Sequence, residues 1–478
     1  MDSQASLLLS TRGIKAAALH SCVPPSQTVS SHSGNRSSRT ELMDQLSDDL
    51  IADILSLLDT KEAARTSVLG SRWRFLWAQS PHLDFEFLDW YQPNKRKEFV
   101  DGMNRLIGAR KGKKLEKLTI NFNDCSTPDV DHWIDFGCES NVQIVKLRIQ
   151  NERHPYILPK IMYTSSSLVS LSLEFCNIQP PEGKIKWPSL IKLQISGVQI
   201  PQLVMDNILS ASPRLSSLQL HQCWGFTHLT ISSTNLHDLV LRDPEDQIDL
   251  EQVLTISAPH IKYVDLLVYH MYRKIELQPC SSLVSVGYNF IGMDEVIPKA
   301  VFFNTETFFE EIHHIQELHL HDASIQVVSK LLDHGWQLPT GNIRCLRMDV
   351  AWDAKQTLFS SLDLPLCTLV ILNASPTIDT LIISCDYPQV LEDNWTQLAK
   401  EKCNGDFINL KFIKLINVVG DSSGDPIKSL AQILLERTPA LQKMEIWFNV
   451  RDRDDFMKIS QIVHAFPKSS TEALMLLH

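Results

Sequence analysis

The pattern apolar-x-x-apolar-x-apolar recurs along most of this 478-residue chain and constrains its fold more than any other feature. Its thirteen copies begin at Leu115, Val142, Leu168, Leu190, Leu215, Leu236, Ile261, Leu283, Ile315, Ile343, Ile378, Leu410 and Leu441. So loose a pattern also arises by chance, but eight of the twelve intervals fall within about 20–29 residues, a period typical of solenoid repeats. Each copy is therefore predicted to add one strand to a parallel sheet, with its apolar side chains in a continuous core.

Two further features accompany these copies. A proline that would end a preceding helix stands two residues before the first apolar position at Pro188, Pro213, Pro259, Pro376 and Pro439. An Asn or Cys follows the last apolar position by three residues at Asn123, Cys176, Cys223 and Asn449. In repeats of this kind that side chain satisfies backbone groups in the turn after the strand, so we expect both cysteines to be structural thiols.

The copies resemble irregular leucine-rich repeats, since the strict form Leu-x-x-Leu-x-Leu occurs at Leu168, Leu215 and Leu236. We assign residues 115–369 to these repeats. Residues Leu434 to Ile446 resemble the L-L-x-x-x-P-x-L-x-K-M-x-I close of the FBD module found at the end of plant F-box proteins. Residues 370–450 are therefore predicted to form an FBD-like end of the array, and residues 451–478 a C-terminal helical cap or tail.

A different pattern, helical in its spacing, lies between Leu46 and Trp77. Its first apolar stripe comprises Leu46, Leu50, Ile51, Ile54, Leu55 and Leu58. Ser47 is predicted to cap this helix and Thr60 a second one, and a third short helix carries Trp73 and Trp77. Three short helices cannot bury so many apolar groups among themselves. From spacing alone, they either dock on a partner or cap the core of the next domain.

This segment resembles a plant F-box over about 40 residues. Leu-Ser-Asp-Asp-Leu-Ile from Leu46 matches the L-P-D-D-L-[IL] opening of that family, and Thr-Ser-Val-Leu-Gly-Ser-Arg-Trp-Arg-Phe-Leu-Trp from Thr66 matches its close. Ser47, Asp59 and Gly70 depart from the family pattern without threatening the helices. The resemblance implies docking on the Skp-type adaptor of a cullin-RING ubiquitin ligase, the SCF complex. The implied adaptor contacts are Leu46, Leu50, Ile51, Ile54, Leu55, Leu58, Val68, Trp73 and Trp77, several of which must also form an internal core.

Together these resemblances imply an α/β chain: an N-terminal three-helix F-box at residues 43–85, followed by an irregular leucine-rich-repeat solenoid with a curved parallel sheet. Residues 1–42 are rich in serine and poor in acids, which favours a disordered tail over a plastid transit peptide. Residues 86–114 are predicted to form a charged, partly helical linker after a strand near Leu83. The basic run from Arg110 to Lys114 at its end is expected to be a solvated helix end or linker rather than a phosphate-binding patch.

Composition, charge and missing motifs argue against several classes of function. A net charge of −11 argues against a nucleic-acid partner, and apolar runs are too short for a membrane span. The sequence has no C-x-x-C pair and no secretory-type signal, so reduced thiols in the cytoplasm or nucleus are expected. Phosphate-loop, hydrolase and zinc-protease motifs are missing from the sequence as well. We therefore expect a non-catalytic protein without a cofactor.

Four histidines between His313 and His321 form the best candidate for a metal site. His319 and His321 alternate with leucines, so both imidazoles are predicted to share one strand face. Two such histidines could ligate zinc, but no Cys or carboxylate completes the set at a spacing that the sequence makes evident. The expectation is therefore that no metal binds and that both are exposed residues of a binding face.

The expected function is that of a substrate-recognition subunit, in which the F-box binds the adaptor and the repeats hold an unknown target protein for ubiquitination. The alternatives are a scaffold that does not promote degradation and a co-receptor that closes over a small hormone. Outward strand positions predicted to bind the target are Lys146, Arg148, Glu174, Gln219, His221, Arg242, His319, His321, Arg347, Asp349, Glu445 and Trp447. For Trp447, packing under a C-terminal helix is the competing interpretation.

Overall fold

The computed structural model describes residues 46–478 with gaps at 59, 88–92, 111–113, 124–126, 152–154, 182–183, 232, 244–252, 269–273, 291–296, 298, 340, 351–363, 386–404, 420–425 and 450–452. The chain divides into two compact units, Met1–Val198 and Gln199–His478. The predicted tail, residues 1–42, lies outside the described residues, as do Asp59 and the turn predicted after residue 419. The boundary between the units falls inside the predicted repeats.

The first unit begins with short helices and continues with alternating strands and helices. Its elements are α1 (Asp48–Ser56), α2 (Thr60–Arg65), α3 (Trp73–Leu76), β1 (His82–Phe87), α4 (Pro93–Ala109), β2 (Lys117–Asn123), α5 (Thr127–Glu139), β3 (Ile144–Gln150), β4 (Tyr156–Ile157), β5 (Ser170–Glu174), β6 (Cys176–Asn177) and β7 (Lys192–Ser196). Short 3₁₀ turns cover Thr66–Leu69, Trp77–Gln79 and Lys160–Thr164.

Strands β1, β2, β3, β5 and β7 of this unit pair in that order, all parallel. Their side chains alternate between buried and exposed, as one-sided burial of a strand requires. Between β1, β2 and α5 the core is aromatic: the Trp133 ring lies 5.1 Å from that of Phe85 and 5.6 Å from that of Phe122, edge to face. The first helical segments thus lead directly into a parallel sheet.

The second unit repeats the same scheme over a longer stretch. Its elements are α6 (Gln202–Ala211), β8 (Ser217–His221), β9 (His228–Thr230), β10 (Asp238–Arg242), β11 (Leu254–Ser257), β12 (Tyr263–Val268), β13 (Ile275–Leu277), β14 (Ser285–Phe290), α7 (Lys299–Glu311), β15 (Glu317–His321), α8 (Asp322–Asp333), β16 (Cys345–Val350), α9 (Leu364–Ala374), β17 (Thr380–Cys385), β18 (Phe412–Val419), α10 (Pro426–Arg437), β19 (Lys443–Asn449), α11 (Arg453–His464) and β20 (Leu474–Leu477).

Strands β8, β10, β12 and β14 to β20 form one parallel sheet in sequence order, and β9, β11 and β13 form a second, smaller sheet. The α/β class and the leucine-rich-repeat arrangement are thereby confirmed. Strand β18, helix α10 and strand β19 form the strand–helix–strand unit predicted for the FBD-like region. None of the helices described combines the length and the hydropathy needed to cross a bilayer.

Each of the thirteen repeat copies predicted from the sequence begins a strand two residues after its first apolar position. As expected, Pro213, Pro376 and Pro439 each follow the end of a helix, and the prolines also occupy turns. The backbone N–H of Leu190 donates to Trp187, that of Leu215 to Ser212 and that of Ile261 to Ala258, so each proline takes the second position of a four-residue turn. The proline ring fixes the φ angle that the second position of the turn requires. The strand begins shortly after the turn.

The predicted structural thiols follow their strands closely: Cys176 begins the short strand β6 after β5, and Cys223 lies just beyond β8. Cys176 is fully buried and its Sγ lies 3.3 Å from the carbonyl of Glu174, while Cys223 Sγ lies 3.4 Å from that of His221. A third cysteine, Cys280, makes the equivalent contact with Gln278 over 2.8 Å without matching the sequence pattern. These thiols therefore cap backbone carbonyls, as expected.

The helical segment follows the prediction closely at its start and less closely afterwards. The Ser47 hydroxyl accepts from the Leu50 N–H over 3.3 Å and caps α1, as predicted. Thr60 is instead the first residue of α2, and its hydroxyl accepts from the backbone N–H of Asp84 over 2.7 Å, which ties the helix to β1. The second helix is α-helical only to Arg65 and continues as a 3₁₀ turn over Thr66–Leu69.

Two regions outside the repeats carry more structure than the sequence patterns indicate. The predicted linker contains the 17-residue helix α4, which connects the parallel strands β1 and β2. The C-terminal region contains α11 and then β20, which pairs parallel with β19. The strand before the repeat copies, β1, and the strand after them, β20, thus do not carry the repeat pattern themselves.

Arg110, in the basic run, is buried rather than solvated, with only 3% of its surface exposed. Burial lowers the pKa of this guanidinium to about 10, so it keeps its charge near neutrality. It is held by the carbonyls of Ala78 and Ser80, which accept from Nη1 over 2.6 and 2.5 Å. The expectation of a solvated helix end is therefore wrong for this residue.

Candidate functional site

The structure divides the nine predicted adaptor contacts by burial. Ile51, Leu55, Trp73 and Trp77 are buried and form the small internal core of the first helices. Leu46 and Leu58 are half-buried, and Leu50, Ile54 and Val68 are exposed. No observation tests which of them touch an adaptor, so that role stays a prediction. Only the exposed members offer their side chains to a partner without unfolding the segment.

Two exposed leucines of the same segment were missed by sequence reasoning. Leu57 is 85% exposed and Leu69 is 59% exposed, next to Val68 at 84%. Leu57 falls off the helical stripe and occupies the C-cap of α1, so periodicity gave no reason to select it. We call the set Leu50, Ile54, Leu57, Val68 and Leu69 the apolar docking set. Five large apolar side chains exposed within about 20 residues are typical of a partner surface.

All twelve predicted target-binding residues lie on the exposed strand face, by which we mean the side of the sheet strands opposite the buried side chains. In the first unit this face carries Lys146, Arg148 and Glu174. Arg148 and Glu174 are register partners on β3 and β5, and their charged atoms Nη1 and Oε1 lie 3.2 Å apart. The Arg148 guanidinium also lies 5.9 Å from the centre of the Phe175 ring. This part of the face is charged but internally paired.

In the second unit Gln219 and His221 of β8 lie beside β10, where Arg242 is the register partner of His221. Burial lowers the pKa of His221, and the charge of Arg242 lowers it further. Nε2 of this imidazole is buried and has no hydrogen-bond partner among the described residues. Burial and the neighbouring charge therefore both favour the neutral ring, and its Nε2 stays unsatisfied within the described residues.

Strands β15 and β16 bring four of the predicted residues together. His319 pairs in register with Arg347, and His321 pairs with Asp349. His319 Nε2 lies 2.8 Å from Asp349 Oδ2, which also accepts from Arg347 Nε over 3.0 Å and lies 2.9 Å from Arg347 Nη2 in an ion pair. The rings of His319 and His321 have their centres 3.9 Å apart. We call His319, His321 and Asp349 the His–Asp cluster.

Charge and burial are unevenly spread over this cluster. Burial lowers the pKa of His321 to about 4, with a further contribution from His319, so His321 is neutral at pH 7. Burial raises the pKa of Asp349, but hydrogen bonds from His319 and Arg347 more than offset it, so this carboxyl has a pKa below its usual value. The other carboxylate oxygen, Oδ1, is buried and accepts no hydrogen bond from the described residues.

The adjoining strand has no side chain beside the cluster, and a carboxylate from the next strand fills that position. Gly287 of β14 is the register partner of His319, and Asp265 of β12 is the partner of Gly287 on the other side. A Cβ built on Gly287 would lie 2.3 Å from Asp265 Oδ1. The Asp265 carboxylate therefore leans over the glycine, and its charge acts on His321.

The end of the exposed strand face is aromatic and charged. Trp447 is 43% exposed and stacks on His478, with ring centres 4.3 Å apart. Lys414 Nζ lies 5.2 Å from the centre of the indole and 3.7 Å from Glu445 Oε2. A hydrogen bond from Lys443 lowers the pKa of Glu445. Trp447 therefore lies on the open face, and the interpretation that it packs under a C-terminal helix is wrong.

Two cavities lie away from this face. One, of about 670 Å³, is lined by residues of α6, β9 and the turns beside them, including Asp206, Ser210 and His228. The other, of about 370 Å³, is lined by the turns around Pro376 and Phe407. Neither includes a residue predicted to bind the target.

A helical segment with an exposed apolar docking set leads into parallel strands at leucine-rich-repeat spacing, whose outward face is polar. This combination defines the class of F-box/leucine-rich-repeat proteins. A family model described as the LRR repeats of the FBD-associated F-box protein At5g56370 matches residues 130–317.

Relatives from Arabidopsis thaliana support the same class. F-box protein At3g44060 is 30% identical over 356 residues, which cover 72% of this chain and 79% of the relative. F-box/LRR-repeat protein At4g14096 is 24% identical over 468 residues, covering 88% and 90%. F-box/FBD/LRR-repeat protein At5g56420 is 28% identical over 234 residues, covering 48% and 55%. The chain belongs to the plant F-box/leucine-rich-repeat family and carries an FBD-like region.

Proposed function

We propose that this protein is the substrate-recognition subunit of an SCF-type cullin-RING ubiquitin ligase. The observation that carries the proposal is the apolar docking set, whose five side chains are between 40% and 85% exposed on short helices. Leaving them in water forfeits about 25 cal/mol for each Å² of apolar surface that a partner could cover. A helical Skp-type adaptor is the partner that family membership suggests.

In this role the protein is non-catalytic. The ubiquitin-conjugating machinery belongs to its partners, and this chain contributes proximity. Tethering raises the effective concentration of target lysines near the charged enzyme, which converts a bimolecular encounter into an intramolecular one. The target-binding surface is the exposed strand face of the second unit, with Trp447 and Arg347 as its strongest candidate contacts, because Trp and Arg are enriched among interface hot spots. In the first unit, taken by itself, Arg148 is the strongest candidate contact for the same reason.

We further propose a cytoplasmic or nuclear location, where such ligases assemble. Cys138 and Cys345 are free thiols, and burial raises the pKa of Cys345 to about 11, which keeps it protonated and unreactive. Free, protonated thiols are typical of proteins in a reducing compartment.

The adaptor contact can be tested with single charges placed in the docking set. Leu50→Asp and Leu57→Asp should each weaken binding of the full chain to a Skp-type adaptor at least about tenfold, since docking would bury an unpaired carboxylate. Their thermal midpoints should stay near that of the wild type, because both sites are exposed in the free chain. Leu203→Asp, at a 70% exposed leucine of α6, is the matched control and should bind normally. Wild-type binding by both docking-set variants would refute the contact.

A second measurement separates a ligase subunit from a scaffold. Proteins captured by the wild-type chain but not by an Arg347→Ala, Trp447→Ala variant are candidate targets. Their half-lives should lengthen when the proteasome is inhibited or when this chain is removed. Unchanged half-lives with intact adaptor binding would favour the scaffold.

A further inference from the structure

The His–Asp cluster has the ligand chemistry of a metal centre. Each of its three residues offers one donor atom, and these atoms lie within 4.8 Å of one another. Zinc bound to His nitrogen and carboxylate oxygen has bond lengths of about 2.0–2.2 Å, which places ligand atoms about 3.3 Å apart in a tetrahedral site. One pair of donor atoms, His319 Nε2 and Asp349 Oδ2, lies 2.8 Å apart. The three residues therefore hold their donor atoms near the spacing that a tetrahedral ion requires.

Two details of the surroundings distinguish the cluster from an ordinary surface ion pair. Asp349 Oδ1 is buried and accepts no hydrogen bond within the part of the chain that the structure describes, so it offers an unused anionic donor. A buried polar atom of this kind destabilises the fold unless a ligand or ion satisfies it. The second carboxylate, that of Asp265, leans over Gly287 towards the histidines and adds negative potential.

Arg347 opposes an ion by its charge but also orients the ligand. Its Nε donates a hydrogen bond to Asp349 Oδ2 and its Nη2 forms an ion pair with the same oxygen, which holds the carboxylate in place and leaves Oδ1 unsatisfied. Carboxylate ligands of metal ions are commonly held by hydrogen bonds in this way. Such a contact is compatible with metal binding, because it engages the oxygen that is already satisfied.

We propose that His319, His321 and Asp349 bind one divalent transition-metal ion, with zinc the expected occupant, on the exposed strand face. Imidazole and carboxylate donors together favour zinc and its first-row neighbours over magnesium or calcium, which prefer oxygen alone. Three protein ligands leave one coordination position open, so a donor atom of a bound target can complete the site. Metal binding is independent of the adaptor contact, and either proposal can fail alone.

The test is calorimetric titration of the purified, chelator-treated full chain with zinc chloride at neutral pH. The wild type should bind one equivalent. His321→Ala and the nearly isosteric Asp349→Asn should each weaken this binding at least about tenfold, since even outer-shell changes cost about 10–100-fold. Asp265→Asn should cause a smaller loss. His313→Ala, an exposed histidine of the same sequence cluster, is the control and should bind like the wild type.

Cobalt(II) provides a second readout, because tetrahedral coordination gives it a distinct visible absorption that zinc should abolish by displacement. Circular dichroism of Asp349→Asn should match the wild type, so that lost binding cannot be ascribed to unfolding. The proposal is overturned if the wild type binds no stoichiometric zinc, or if His321→Ala and Asp349→Asn bind it as tightly as His313→Ala does. Either result would leave the cluster as an ion-pair network only.

Discussion

Arg110 donates a hydrogen bond from Nη1 to the carbonyl of Ser80 over 2.5 Å and so ties the end of α4 to the end of the helical segment. A second bond from the same nitrogen reaches Ala78 over 2.6 Å. Arg110→Met should leave both carbonyls unpaired and lower the free energy of unfolding by about 1–3 kcal/mol for each one that water cannot reach. Thermal melts of the full chain measure this loss. Arg105→Met, at an exposed arginine of α4, should melt like the wild type, and an equal shift in both variants would contradict the role of Arg110.

Two leucines two residues apart at the end of α1 should respond oppositely to truncation. Leu55 is 1% exposed and Leu57 is 85% exposed. Leu55→Ala should lower the free energy of unfolding by about 2–5 kcal/mol through the cavity it leaves. Leu57→Ala should change it by no more than about 0.5 kcal/mol but should weaken adaptor binding. Comparable losses of stability in both variants would show that the docking set is buried in the folded chain.

Much of the fold was predictable because it repeats. The apolar positions of the repeats must alternate with outward ones to be buried on one face, so strand positions and faces follow from spacing alone. Strand β20 was not predicted because Leu474 to Leu477 has no repeat copy and pairs only through its neighbour β19. Thr60 was misplaced because its hydroxyl has a partner, Asp84, that local helix rules do not include.

The candidate site was predictable only as separate residues. His319, His321 and Asp349 were each expected on the outward face, but Asp349 follows His321 by 28 positions, and the strand register alone brings them together. Sequence spacing therefore gave no carboxylate for the histidines. The adaptor contacts predicted from the sequence were incomplete for a related reason. A C-cap position such as Leu57 lies outside the periodic stripe, so periodicity did not select it.

Gly225 is held in a conformation that disfavours other residues. Its φ is +99°, and an added Cβ would lie 3.0 Å from the carbonyl oxygen of Ile200. Gly225→Ala should therefore lower the free energy of unfolding by about 1–3 kcal/mol, from backbone strain and from the displaced carbonyl. Gly341→Ala, where a Cβ meets nothing within 4 Å, is the matched control for a thermal melt. Equal melting of the two variants would mean that the Gly225 turn relaxes freely.

Glu311 should make the stability of the chain depend on pH. Burial raises the pKa of this carboxyl, although its Oε2 accepts from the Leu277 N–H over 2.8 Å. A carboxyl with a raised folded pKa contributes stability that is complete below its unfolded pKa of about 4.3 and is lost as the pH rises through the folded pKa. Glu311→Gln removes this titration and keeps an oxygen acceptor for Leu277.

The thermal midpoint of Glu311→Gln should therefore rise relative to the wild type between about pH 4.5 and about pH 7.5, because only the wild type buries a charge at the upper end. Glu310→Gln changes an exposed carboxyl one position earlier on α7 and corrects for the loss of one negative charge. The informative quantity is the difference in thermal midpoint between Glu311→Gln and Glu310→Gln at each pH. A difference that stays constant, or that falls as the pH rises, would mean that Glu311 remains solvated and that its bond to Leu277 outweighs burial.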